Sequence, residues 1–388
     1  MVNVSSSNGL EKRPKLRFPG FDEPWEKSEF REFAEVNPKC QSIPEQFYYI
    51  DLGSVEDGEI NNTRIEDVLS APSRAQRLLS RNDILFQTVR PYQQNNYLFC
   101  EERKLPTVAS TGYSVFRTQY DVQFLYALIH TKHFLSSVLS RCTGTSFPAV
   151  SASDIEDIII WAPSVDEQQE IGELFRLLNV KIRKQKALVE ALKKYKRGVT
   201  NAIFNKDLSF ASKETTYPKW EQKYIGEICK IQTGKSNTQD ETIHGRFPFY
   251  VRSPIVRKSN RYLFDCEAVL TVGDGVGTGK VFHHVTGKFD LHQRVYAMTD
   301  FKLVSGKYFY YYFSNFFYDR VMRMTAKTSV DSVRYEMVNR MPILIPCKEE
   351  QCQIVRFLNL LEKEVRNAEE KLTLLEKLKS GFLQQLFI

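Results

Sequence analysis

The chain repeats itself, and that repeat narrows the folds open to it more than any other feature. Residues 163–205 align without a gap onto residues 346–388 at a constant shift of 183. Under that shift Pro163 meets Pro346, Glu167 meets Glu350, Gln168 meets Gln351 and Ile171 meets Ile354. Leu177, Leu178, Leu192, Lys194, Lys196, Gly198 and Phe204 fall on Leu360, Leu361, Leu375, Lys377, Lys379, Gly381 and Phe387. Upstream, Thr145 and Ser146 fall on Thr328 and Ser329, and Tyr113 falls on Tyr296. Still further upstream the halves drift apart: PWEKSEF (24–30) resembles PKWEQKY (218–224), but Trp25 reaches Trp220 only at a shift of 195. The ends of the halves are alike, and the middles differ in sequence and length.

The repeated part reads as helix. In the first copy apolar residues stand at Ile171, Phe175, Leu178, Ile182, Val189, Leu192, Val199 and Ile203, and Gln185 and Lys196 complete a strict 4-3 spacing. The second copy runs Ile354, Leu358, Leu361, Val365, Ala368, Leu372, Leu375, Lys379, Phe382 and Leu386. No proline interrupts either run. A helix over residues 171–203 would be about 50 Å long at 1.5 Å per residue. One narrow seam on each of two copies suits pairing with one another, the alternative being a helix laid on its own domain. A parallel, in-register pair would bury Lys196 against Lys379, which is costly. An antiparallel pair carries Lys196 to Leu361, Glu362 and Glu364 instead, so antiparallel pairing is expected.

The middles read as mixed structure. YYIDLGSVEDGEI, NDILFQTVRPY, TGYSVFRT and DIEDIIIW have the look of short strands between turns. Apolar-rich stretches at 122–141 and 307–324 read as helices, each preceding the Thr-Ser pair. The polar run 204–218 reads as the interdomain linker. The expected fold class is α+β: two similar mixed α/β domains, each followed by a long helix, the two helices pairing as an antiparallel coiled coil. At 388 residues, two domains with cores of their own need neither disulfide nor metal.

Several function classes are set aside by the residues. The seven cysteines (40, 100, 142, 229, 266, 347 and 352) include no C-x-x-C pair, so neither a disulfide framework nor a zinc ribbon is indicated. The polar start lacks an apolar signal region and no window could span a membrane, so a reduced, cytoplasmic protein is expected. The run VGDGVGTGK (272–280) fails as a phosphate loop: position 274 is Asp where Gly is required, and Val281 stands where Ser or Thr is required. A tight hairpin accounts for it better, with Thr278 and Lys280 open to phosphate. The histidines, His130 with His133 and His283 with His284, lack partners at metal-ligand spacing, so no metal site is expected. Motifs of nucleophilic catalysis, adenine methylation and nuclease chemistry are missing, and no catalytic residue is assigned.

What remains are polar clusters suited to bases and phosphates. The net charge of +7 permits a nucleic-acid partner without requiring one. TVRPYQQNNY places Arg90 beside Gln93, Gln94, Asn95 and Asn96. Arginine pairs bidentately with guanine, and Asn or Gln with adenine; the alternative is an ordinary polar loop. RCTGTSFPAV supplies Arg141, Thr145 and Ser146, and its counterpart supplies Lys327, Thr328, Ser329 and Arg334. That equivalence reflects either contact or packing at the helix root. In the second half Arg246, Arg252, Arg257, Lys258, Lys280 and Arg294 are the basic candidates.

The chain resembles the specificity subunit of type I restriction–modification systems. The resemblance is carried by KLRFPGFDEPWE (15–26), DILFQTVRPY (83–92), TGTSFPAVSASDIEDIIIWAPSVDEQQEI (143–171) and LTVGDGVGTGKVFHH (270–284). Its most specific part is the proline followed by Glu-Gln and a coiled helix, found twice. The resemblance implies two target-recognition domains, each reading half of a split site in double-stranded DNA. It implies that the coil separates the half-sites and docks two methyltransferase subunits. Those subunits would hold S-adenosylmethionine, and restriction/translocase subunits would use ATP and Mg; no cofactor and no catalysis is implied for this chain. The second half's KTSVDSVRYEMV departs by lacking the Gly and Pro of the first. Domains are expected at 21–163 and 220–346, helical spacers at 164–205 and 347–388, a linker at 206–219 and a tail at 1–20. The competing readings are a stand-alone DNA-modifying or DNA-cleaving enzyme and a coiled-coil protein scaffold.

Overall fold

The computed structural model describes residues 2–3, 13–40, 42–211, 216–275, 277–324 and 332–388. They form two compact units: residues 1–186 with 370–388, and residues 187–369. Two long helices, α1 (Val165–Phe204) and α2 (Lys348–Gln385), each contribute to both units.

In unit 1, Tyr97–Phe99, Asp83–Gln87, Tyr113–Arg117 and Glu35–Val36 form an antiparallel sheet in that order. A second sheet orders Arg64–Asp67, Gln46–Ile50, Thr107–Ser110 and Ala75–Leu78, with Gln46–Ile50 parallel to Thr107–Ser110. Unit 2 repeats the plan. Lys230–Thr233, Val295–Thr299, Ala268–Val272 and Phe282–Val285 form its antiparallel sheet. Its second sheet again holds one parallel pair, Phe247–Tyr250 with Lys288–Leu291. The central strands Asp83–Gln87 and Ala268–Val272 are buried throughout, which is why DILF and AVLTV read as continuous apolar runs rather than alternating ones.

A separate two-stranded ribbon leads into each long helix. Glu26–Glu29 pairs Ile159–Ala162 in unit 1, and Glu221–Tyr224 pairs Pro342–Ile345 in unit 2. The expected strand over DIEDIIIW is therefore only half right. Ser151 caps a short helix at Ala152–Glu156, its hydroxyl accepting from the Asp154 amide, and the strand starts at Ile159. The stretch 122–141 is likewise two helices, Val122–Leu128 and Lys132–Leu139, because Thr131 caps a fresh start. Its counterpart Gly306–Met324 is one helix.

The repeated Pro…Glu-Gln motif anchors the root of each long helix. Gln168 Nε2 donates to Pro163 O at 2.9 Å, and Gln351 Nε2 donates to Pro346 O at 3.0 Å. Both glutamines are buried. The buried Glu167 carboxylate takes both Arg17 Nε and Nη2 at 2.8 Å; Glu350 takes Trp220 Nε1 at 2.8 Å. A buried acid needs such a partner, and each half supplies a different one.

The two helices pair antiparallel, as each unit shows separately. In unit 1 Phe387, near the end of the chain, packs against Phe175 near the start of α1, with ring centroids 5.9 Å apart. In unit 2 Lys196 lies 3.6 Å from Glu362, and Lys193 lies 3.0 Å from Glu369. Along the seam Ile171, Phe175, Leu178, Ile182, Val189, Ile354, Leu358 and Leu375 are buried. Leu192, Val199, Leu361, Val365, Leu372 and Phe382 are half-buried. The aromatic ends of the helices are exchanged. Phe387 enters the core of unit 1 beside Trp25 and Phe124, whereas Phe204 enters that of unit 2 beside Tyr308 and Tyr312.

Candidate nucleic-acid interface

In unit 1 the candidate loop follows the central strand Asp83–Gln87 and is tied to the segment after the helices. The Arg90 amide donates to Pro148 O at 2.7 Å, the Val150 amide donates to Thr88 O at 3.1 Å, and Val89 bridges Ala149. Two clusters far apart in sequence, 88–96 and 141–150, thus form one surface. Arg90 and Gln94 both sit at positive φ, 56° and 53°, on either side of a single 3₁₀ turn at Pro91–Gln93. Left-handed backbone at non-glycine residues is strained, and such strain concentrates at functional positions. The Arg90 guanidinium lies 4.5 Å from the centroid of the Phe147 ring. Phe147 is 60% exposed, and Thr145 and Ser146 beside it are exposed as well.

The loop is held from beneath by Gln87 and Asn96. Gln87 donates to Gln93 Oε1 at 2.8 Å and accepts from the Asn95 amide at 3.1 Å. Asn96 is only 1% exposed; its Oδ1 accepts from the Gln87 amide and its Nδ2 lies 3.4 Å from His130 Nε2. Asn96 therefore supports the loop and is corrected from a DNA contact to an internal brace. The His130 Nδ1 sits 2.6 Å from Tyr126 O, which accounts for the neutral tautomer accepting from Asn96. Burial, with the nearby Lys379 ammonium, pushes His130 down to about 4. Arg141 turns back to donate to Ser137 O at 2.8 Å, at the end of its own helix.

Unit 2 repeats the tie with other residues. Asp274 bridges Ser332, and the Val333 amide donates to Gly273 O at 2.7 Å. These contacts match Val89 with Ala149 and Val150 with Thr88. The strands Ala268–Val272 and Phe282–Val285 on either side of the Gly-rich run are a hairpin, with no helix following it. Thr278 is buried and its hydroxyl donates to Gly275 O, so it serves the turn and is not open to phosphate. Lys280 is exposed over the Tyr318 ring at 5.3 Å. Asp274 lies 3.3 Å from Arg252 Nη1 and 3.6 Å from Arg294 Nε, an arrangement that spacing alone did not disclose. Arg246 is exposed over Phe247, and Arg334 is exposed at the start of a short helix. Lys327, Thr328 and Ser329 lie outside the described residues.

Among the described residues no group of acidic, His or Cys side chains could hold a metal ion, and no helix is long and apolar enough to cross a membrane.

A family model for the type I restriction modification DNA specificity domain matches residues 217–378. The second half of this chain is thus similar to the DNA specificity domain of type I restriction–modification systems. The type I restriction enzyme EcoDI specificity subunit of Escherichia coli is 24% identical over 168 residues, 42% of this chain and 36% of that relative. The MjaIX specificity subunit of Methanocaldococcus jannaschii is 20% identical over 293 residues, 68% of either chain. The match to EcoDI thus spans about a third of that relative's length. The fold of the type I S subunit from M. genitalium is shared across 97% of this chain and 99% of that one, with a TM-score of 0.67 at 13% identity.

Proposed function

We propose that this chain is the specificity subunit of a type I restriction–modification system, reading a bipartite target in double-stranded DNA and performing no chemistry itself. The observation that carries the reading is the repeated tie of a loop after the central strand to the segment after the helices. One fold presents two surfaces with unlike side chains: Arg90 and Phe147 on one, Asp274, Arg252, Arg294 and Lys280 on the other. Surfaces of that kind recognise two different half-sites. We assign the target-recognition domains to 21–163 and 220–346, the spacers to 164–205 and 347–388, the linker to 206–219 and the tail to 1–20. Base or phosphate contacts fall to Arg90, Gln93, Gln94, Asn95, Thr145, Ser146 and Arg141 in the first domain. In the second they fall to Arg246, Arg252, Lys280, Arg294 and Arg334.

The partners are two methyltransferase subunits, with restriction/translocase subunits joining them in the cytoplasm. S-adenosylmethionine, ATP and Mg belong to those subunits. Support for a doubled partner comes from the helices themselves. Leu177 and Leu360, equivalent in the repeat, are 52% and 57% exposed, and the equivalent Tyr195 and Leu378 are exposed too. Large apolar residues left in water at matching positions suit two copies of one partner.

The test is the methylated motif in cells expressing this chain with a methyltransferase subunit. A split motif with two dissimilar halves is expected. A continuous palindrome would refute the reading, because it needs two identical readers. Methyl transfer or cleavage by the purified chain alone would favour the enzyme alternative.

A further inference from the structure

The Gly-rich run of unit 2 has no role as a phosphate loop, yet its glycines are tightly constrained. A Cβ on Gly273 would meet Arg294 O at 2.8 Å, and one on Gly277 would meet Arg252 O at 2.7 Å. The loop is pressed between the two backbone segments that carry these arginines. Only residues without a side chain allow that approach. Between those glycines stands Asp274, with one carboxylate oxygen toward each arginine, Oδ1 to Arg252 Nη1 and Oδ2 to Arg294 Nε. The arginine side chains are 50% and 64% exposed, against 23% for the acid. The Arg294 amide also donates to Nδ1 of the buried His292 at 3.0 Å, and the His292 amide donates to Tyr250 O at 3.0 Å, which ties this segment to the neighbouring strand.

Exposed ion pairs add little to stability, so folding does not account for the acid. Nor does phosphate binding, since a carboxylate on a face meant for a polyanion weakens attraction to every sequence alike. An acid at this position is useful only if the arginines must be oriented. A guanidinium has five N–H donors, and the contact to Asp274 engages one nitrogen of each.

We propose that Asp274 is a specificity-determining positioning residue of the second recognition domain. It holds Arg252 and Arg294 as a preset pair for guanine edges in the second half-site, and its charge lowers affinity for unrelated DNA. This rests on the DNA-reading function proposed above. The first domain solves the same problem differently: its loop carries the arginine itself, braced by Phe147 instead of by an acid.

The experiment compares complexes of the full chain with its methyltransferase subunit, wild type against Asp274→Asn and against the charge-preserving Arg252→Lys/Arg294→Lys pair. Two quantities are read: methylation of duplexes carrying single-base changes in either half-site, and the salt dependence of binding to an unrelated duplex. Asp274→Asn should relax base preference in the second half-site by roughly tenfold or more, the scale of one bidentate contact. It should leave the first half-site unchanged and tighten binding to the unrelated duplex. The lysine pair should relax the same positions while keeping its salt dependence, since charge is retained and the fork is lost. Adding Asp274→Asn to the lysine pair should change preference no further. Unaltered second half-site preference in Asp274→Asn overturns the proposal. If that variant fails to fold, unaltered preference in the lysine pair overturns it equally. A wild-type complex that shows no split motif overturns the DNA-reading function itself, and is told apart because the failure precedes any substitution.

Discussion

Replacing Phe387 by alanine should destabilise unit 1, whose sheets lie farthest from it in sequence. Phe387 is 6% exposed, and its ring lies 6.0 Å from Trp25, 5.3 Å from Phe124 and 5.9 Å from Phe175. Deleting a buried phenylalanine removes its transfer free energy and leaves a cavity, about 3–5 kcal/mol together. Position 387 follows the last turn of α2, which ends at Gln385, so neighbours can collapse into the space and about 3 kcal/mol is the better expectation. With a urea dependence of about 2 kcal/mol per molar, the midpoint of unit 1 should fall by roughly 1.5 M. Hydrogen exchange locates the loss. Amides of Asp83–Gln87 and Tyr113–Arg117 should lose protection, while those of Ala268–Val272 keep theirs. Phe204→Ala should produce the reverse pattern, since its ring lies 5.1 Å from Tyr312 in unit 2. A loss below about 1 kcal/mol in Phe387→Ala, or equal loss of protection in both units, would refute the exchanged-helix account.

Three further outcomes are expected. Removing one heptad from each helix, Lys181 to Ala187 and Glu364 to Glu370, keeps both seams in phase and takes about 10 Å from each helix. If helix length sets the gap between half-sites, sequencing methylated DNA should show it shortened by roughly three base pairs with unchanged half-sites; the original gap in an active complex refutes that. Arg90→Ala should weaken the first half-site alone, by about 1–3 kcal/mol at one base if it reads guanine, or uniformly with a salt slope lower by about one if it binds phosphate. Unfolding measured against pH should show stability falling from pH 6.5 toward 4, because unfolded His130 takes a proton that the buried ring refuses until about 4. The loss from this group is up to about 3 kcal/mol and should vanish in His130→Gln.

The repeat made the helices and their direction legible from residues alone. Like charges at Lys196 and Lys379 argue against a parallel pair, and Lys196 does meet Glu362. The stretch NDILFQTVRPY reads as strand and turn and does hold the central strand Asp83–Gln87, whereas its counterpart Ala268–Val272 is not singled out. Less was legible where tertiary contacts outweigh local pattern. Asn96 resembles its neighbours in a polar string, but the Gln87 amide beneath the loop needed an acceptor and took its side chain inward. The break at Thr131 rests on one hydroxyl accepting from the Phe134 amide within an otherwise helical pattern. Asp274 looked like the defect that disqualifies a phosphate loop, and only its neighbours in space, remote in the chain, give it a use. Glu167 and Glu350 announced themselves by repetition, and so did Trp25 with Trp220, but nothing in the repeat showed that Arg17 meets the first acid where Trp220 meets the second.

The exchanged aromatic ends also bear on the order in which the protein can be made. Synthesis runs from the N-terminus, so the sheets of unit 1 emerge first while Leu386 and Phe387, which complete their core, come only after all of unit 2. Until then Trp25, Phe124 and Phe175 face an unfilled site, and the nascent first domain is held short of its final stability. Unit 2 meets no such delay, since Phe204 is already waiting when Tyr308 and Tyr312 arrive. The first domain translated is therefore the last one finished, and its exposed apolar surface in that interval is where chaperone binding and aggregation would concentrate.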